Sequence, residues 1–164
     1  MAWHQHWGSI FDTEAYLHRL LELTDPDLVG LCLDTAQVTI SGFDLLETLR
    51  RTLPRIKFMH YKDVAPNQPN ESELWPGKNL PADAGAYDVD SQWRMVELGR
   101  GVVPFRQVTD LLLQAGYDGW LVDDFDYSGY VAYASARACK EFINLGLGIW
   151  GDCDLRKGRK TPER

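Results

Sequence analysis

The chain has 164 residues, 45% of them hydrophobic and 25% charged, which suits one globular domain with a real core. No apolar run approaches the roughly 18 residues of a membrane span, and the Met-Ala-Trp-His-Gln-His start lacks the basic segment and apolar core of a signal peptide. Of the net charge of −7, residues 156–164 hold Arg156, Lys157, Arg159, Lys160 and Arg164 against the single acid Glu163, a targeting or nucleic-acid patch or else a solvated end, and the acidic remainder argues against a phosphate-backbone surface.

In chain order, residues 2–7 form a short run rich in tryptophan and histidine. Asp12 is placed to cap a helix over 13–23, which Thr24-Asp25-Pro26 ends. Residues 28–34 are almost continuously apolar, as expected of a parallel strand buried on both faces. A helix over 43–52 carries Leu45, Leu46, Leu49 and Leu53 on one stripe, and residues 55–61 read as the next strand. Residues 65–97 contain Pro66, Pro69, Pro76 and Pro81 with several acids, and predict a long loop excursion of the kind that carries function.

Pro104 opens a further helix, with Val108, Leu111, Leu112 and Ala115 at helical spacing and Gly116 to end it. Residues 120–124 read as a strand, and a last helix over 130–143 buries Val131, Ser135, Ala138, Cys139 and Phe142. The basic segment 151–164 reads as a disordered tail. Strands alternating with helices predict an α/β fold with a parallel sheet, and the pattern leaves a Rossmann-like sheet and a barrel segment both open. No GxGxxG follows a strand, and Gly99-Arg100-Gly101 reads as a tight turn rather than a phosphate cradle.

Cys32, Cys139 and Cys153 form no CxxC. An odd number of cysteines without a secretion signal predicts reduced thiols in the cytoplasm, and Cys32 and Cys139 fall in apolar runs as small core residues.

Three strands end in metal-competent groups: Asp34, His60 and Asp124. Parallel α/β folds place their active sites at the carboxyl ends of strands. Alternation puts Asp34 on the face of Cys32 and Gly30, His60 on that of Phe58 and Ile56, and Asp124 on that of Val122 and Trp120. Two carboxylates and an imidazole meeting at one point suit Mn²⁺, Mg²⁺, Co²⁺ or Zn²⁺. Singly, each residue has a plainer role: Asp34 as a cap, His60 as a hydrogen-bonded core histidine, and Asp124 in the acidic run Asp123-Asp124-Phe125-Asp126 as part of a solvated loop.

Residues 28–35 (Leu-Val-Gly-Leu-Cys-Leu-Asp-Thr), His60-Tyr61-Lys62-Asp63-Val64, Leu98-Gly99-Arg100-Gly101 and Gly116-Tyr117-Asp118-Gly119-Trp120-Leu121-Val122 resemble consecutive blocks of the xylose isomerase-like TIM barrels, a superfamily of sugar-phosphate isomerases, epimerases and inosose dehydratases. His4-Gln5-His6-Trp7-Gly8 resembles the fifth-strand block. The resemblance implies four βα units, barrel strands five to eight, over residues 1–150. It also implies a divalent metal held by Asp34, His60 and Asp124, a small sugar or cyclitol substrate, and proton transfer next to a carbonyl by Asp124 and Lys62. His6, Gln37 and Lys62 then contact substrate, and His4 or His6 stands nearest the fifth-strand ligand.

The chain departs from the family pattern in three ways. No glutamate stands in residues 1–9, Gln37 occupies a place where histidine is usual, and Asp124 replaces a glutamate. Gln37 cannot exchange protons near neutral pH, and the shorter Asp124 loses reach. Because the resemblance begins at the fifth strand, the chain reads as half of a barrel, to be completed by a complementary half or a second copy. The alternative is a non-catalytic half-barrel that acts as an interaction module.

Overall fold

The structure, a computed structural model, describes residues 1–10, 12–66, 92–125 and 132–149. Its centre is β2 (Gly30–Asp34), in which every residue is buried. On one side it pairs in parallel with β1 (Ala2–His4), and on the other with β3 (Ile56–Tyr61), which pairs in parallel with β6 (Trp120–Asp123). The sheet order is β1-β2-β3-β6, and the fold is α/β. The continuous apolar run of β2 follows from this position, since a central parallel strand has no solvent face.

Helices cover one face. They are α1 (Glu14–Leu23), α2 (Thr35–Ile40), α3 (Leu45–Thr52), α4 (Phe105–Gln114) and α5 (Ala132–Glu141), the last running into a π-helical turn over Phe142–Gly146. Leu31, Leu33, Ile56, Met59, Tyr61 and Leu121 of the sheet join Leu17, Leu49, Val108, Leu112, Cys139 and Ile143 of the helical layer in one core. The opposite face carries His4, Phe58, His60 and Val122, all only partly buried.

Several local expectations change. The cap of α1 is Thr13, whose hydroxyl accepts from the Tyr16 amide; Asp12 instead accepts from the Gly8 amide and the Ser41 hydroxyl. The short helix α2 starts directly at Thr35, where the sequence read no helix. The register of β2 and β3 slips between Leu31 and Cys32, pairing Leu31 with Ile56 and Cys32 with Phe58. This irregularity turns Ile56 to the helical side, so it does not share the face of Phe58 and His60. Ala115 is the exposed C-cap just after α4 rather than part of its buried stripe.

The stretch expected to loop over 65–97 has strands at both ends. β4 (Asp63–Pro66) pairs antiparallel with β5 (Trp93–Val96). Residues 67–91, the basic tail 151–164, Asp126 and Val131 lie outside the described residues. Among the described residues, no helix is long and apolar enough to cross a membrane.

The turn after β5 is built around Asp63. One carboxylate oxygen accepts from the Val64 and Val103 amides at 2.9 and 3.1 Å, and the other from the Gly99 and Gly101 amides at 2.9 and 2.8 Å. Burial raises the Asp63 pKa, and these four amides pull the other way. Gly99 sits at φ +83°, and a Cβ on Gly101 would overlap the Val64 carbonyl and the Asp63 carboxylate. The Gly-Arg-Gly segment is therefore a turn, and its amides face a carboxylate of the same chain.

Candidate metal centre

Asp34 is the pivot of the site. It ends β2 and caps α2, its Oδ1 accepting from the amides of Ala36 and Gln37, both at 2.9 Å. Its Oδ2 points the other way, 3.5 Å from His4 Nε2 and 3.6 Å from His60 Nδ1. The residue is fully buried, and this second oxygen has no hydrogen-bond partner. The plain cap and the ligand are thus two oxygens of one carboxylate.

Strand pairing explains the convergence. Asp34 lies beside His60 in register, His4 lies beside Cys32, and the Asp124 amide extends the β3–β6 ladder by donating to the Tyr61 carbonyl at 3.1 Å. The Thr35 hydroxyl donates to the Lys62 carbonyl at 2.6 Å and fastens α2 to the end of β3. His60 Nδ1 stands 3.1 Å from Asp124 Oδ2 without hydrogen-bond geometry, and Lys62 Nζ donates to that same oxygen at 3.1 Å. Asp34, His60 and Asp124 thereby offer three ligand atoms within 4.8 Å of one another.

The charges reinforce each other. Asp124, with Asp34 and Cys32 adding to it, pushes the His60 imidazole up to about 11 against the effect of burial, so the ring is cationic near neutrality. Asp124 is held well below the usual carboxylate range, chiefly by His60 and then by Lys62, and stays ionised. Burial pushes Asp34 upward, but His4, His60, the Gln37 amide and Lys62 outweigh it and leave its pKa lowered. An orphaned buried carboxylate oxygen beside two imidazoles and a second carboxylate is a donor set that a divalent cation fits.

Other expected residues sit differently. Gln37 is buried, and its Oε1 accepts from the Trp7 amide at 2.9 Å, which ties down the loop after β1. His6 lies edge-on to His4, with 5.8 Å between ring centroids, and its Nδ1 is 2.8 Å from the Trp7 carbonyl. Between the two fifth-strand candidates, the structure brings His4 to the cluster, its ring centroid 4.8 Å from that of His60. Asp123 is not part of a solvated acidic run: its Oδ1 is buried, and burial pushes its pKa up to about 6. Cys139 belongs to the core, but Cys32 is buried outside that cluster and grouped with His4 and His60. Alternation from Asp34, which puts Cys32 on the same face, is the sequence signal for this position.

A parallel sheet with polar groups gathered at its carboxyl end defines the broad class. The chain belongs to the xylose isomerase-like TIM barrel family, whose model matches residues 2–131. It is 33% identical over 151 residues to an inosose dehydratase of Lacticaseibacillus casei, covering 91% of this chain and 48% of that protein. It is 30% identical over 146 residues to the inosose dehydratase of Geobacillus kaustophilus, covering 88% and 45%. The chain spans about half the length of the curated relatives it matches.

Two solved structures share the fold. The probable 3-DHS dehydratase AsbF of Bacillus anthracis has a TM-score of 0.61 at 19% identity, covering 88% of this chain and 48% of its own. A xylose isomerase domain protein of Planctomyces limnophilus has a TM-score of 0.60 at 21% identity, covering 89% and 44%.

Proposed function

We propose that the chain is the metal-bearing half, barrel strands five to eight, of a sugar or cyclitol isomerase, epimerase or dehydratase that works by proton transfer next to a carbonyl. One observation carries this reading: Asp34, His60 and Asp124 meet at the carboxyl ends of neighbouring parallel strands, with Asp34 Oδ2 buried and without a hydrogen-bond partner. The inosose dehydratase relatives support the substrate class.

Asp34 Oδ2, His60 and Asp124 would hold Mn²⁺, Co²⁺, Mg²⁺ or Zn²⁺. When bound, the ion supplies a Lewis acid for a carbonyl oxygen. Asp124, held ionised by His60 and Lys62, would serve as ligand and, with Lys62, in the proton transfer beside the carbonyl. Lys62, buried beside it, holds Asp124 in place and presents positive charge where an oxyanion develops. His6 lines the same rim. Gln37 acts through Trp7, by fixing the loop rather than touching the sugar.

The sheet leaves the His4–His60 face half-open, and a complementary half-barrel is the partner that would wall it. The test is to supply such a half and assay inososes and ketoses with Mn²⁺ or Co²⁺. Turnover that disappears in His60→Ala supports the enzyme. A formed complex without turnover favours the second reading, a non-catalytic half-barrel, which the inward turn of Gln37 already supports.

A further inference from the structure

Besides the carboxylate set, the same face holds a nitrogen–sulfur set. His4 on β1, Cys32 on β2 and His60 on β3 occupy three adjacent strands, and their ligand atoms all lie within 4.8 Å of one another. His4 pairs directly with Cys32, and Asp34, two residues on, pairs directly with His60. We propose that His4, Cys32 and His60, with Asp34 Oδ2 beside the two imidazoles, form a thiolate–imidazole site for a borderline-soft divalent cation, Zn²⁺ or Co²⁺. This goes beyond the proposed catalytic set, shares His60 and Asp34 with it, and replaces Asp124 by Cys32 and His4.

Three observations support it. His4 Nε2, Asp34 Oδ2 and His60 Nδ1 are all buried atoms without hydrogen-bond partners. They are held only by ion-pair contacts of 3.1–3.6 Å with one another and with Asp124, which leaves their lone pairs open to a cation. The distances from Asp34 Oδ2 to the two imidazoles also fit. Ligands about 2.0–2.3 Å from a tetrahedral zinc stand roughly 3.3–3.8 Å apart, and Asp34 Oδ2 is 3.5 Å from His4 and 3.6 Å from His60.

Cys32, finally, differs from an ordinary core cysteine. Cys139 packs in the main cluster and accepts from the Leu98 amide, whereas Cys32 is buried outside that cluster against the two histidines. A thiolate and two imidazoles select Zn²⁺ or Co²⁺ over Mg²⁺ or Mn²⁺, which prefer all-oxygen shells.

The test is cobalt spectroscopy on the full chain with its thiols reduced. A bound thiolate gives a near-ultraviolet sulfur-to-cobalt charge-transfer band, which a carboxylate set cannot give. The band should appear in the wild type and in Asp124→Asn, and vanish in Cys32→Ser. Zn²⁺ affinity should fall in Cys32→Ser by more than the roughly 10–100-fold that loss of an outer-shell partner costs. Should Cys32→Ser fail to fold by circular dichroism, His4→Gln decides: weaker Zn²⁺ binding with the band retained supports the site. Cobalt bound without the band, a band that survives Cys32→Ser, or Zn²⁺ affinity unchanged in His4→Gln overturns it. Loss of Mn²⁺ binding in Asp124→Asn while the cobalt band persists separates this site from the catalytic set.

Discussion

Lys62 Nζ and Asp124 Oδ2 are 3.1 Å apart, and His60 Nδ1 stands at the same distance from that same oxygen. One carboxylate oxygen thus lies between two cations, and anything that binds there must displace or share with both. Lys62 is buried, so little water screens it. Removing its charge should free Asp124 and reduce repulsion of an incoming cation. Lys62→Met is expected to tighten Mn²⁺ binding about tenfold, a modest part of the ~4 kcal/mol between unit charges 4 Å apart at an effective dielectric near 20. Calorimetric titration checks it, and weaker binding in the variant would count against this geometry.

Metal binding should release a proton. His60, raised to about 11, carries a proton in the metal-free protein near neutrality, and a ligand imidazole must lose it. Because the bound form excludes that proton, affinity rises with pH and levels off as pH approaches about 11. Titration heats measured in buffers of different ionisation enthalpy report the proton count. A pH-independent affinity between 6 and 9 would contradict the raised histidine.

The two oxygens of Asp34 can be separated by mutation. Asp34→Asn keeps one carbonyl oxygen for the Ala36 and Gln37 amides, whereas Asp34→Ala keeps none. A cap is worth about 1 kcal/mol. Asp34→Asn should therefore stay within about 1 kcal/mol of the wild type in urea unfolding while losing metal affinity. Asp34→Ala should lose both, because two buried amides are left unpaired.

Asp63 has a purely structural role. Asp63→Ala would orphan the amides of Val64, Gly99, Gly101 and Val103 and is expected to cost about 3–5 kcal/mol. Gly101→Ala should be destabilising for a different reason, overlap with backbone that cannot move away. Urea unfolding measures both, and a near-neutral Asp63→Ala would contradict the account of the turn.

Much of this was legible in the residues. The apolar run of β2, the leucine stripe of α3, and Asp34 and His60 at strand ends all follow from periodicity and position. The hidden parts have physical causes. Helix α2 contains Thr35, Val38, Thr39 and Ile40, β-branched residues that favour helix weakly; only Asp34 as a cap signals its start. The β4–β5 ribbon is masked by Pro66 and by the prolines that follow it. The irregularity that turns Ile56 leaves its trace only in the exposed Lys57, and the Asp63 turn joins residues too far apart in sequence to suggest each other. Cys32 was read by its apolar neighbours rather than by the face it shares with Asp34.

The central claim is that Asp34, His60 and Asp124 form one divalent site. Titration of the full chain with Mn²⁺, beside His60→Ala, tests it most directly. The geometry predicts weak one-to-one binding in the wild type, because Asp124 is shared with Lys62, and no binding in His60→Ala. Binding heats unchanged in His60→Ala, or a wild type that takes up no Mn²⁺ even when a complementary half-barrel is supplied, would contradict it.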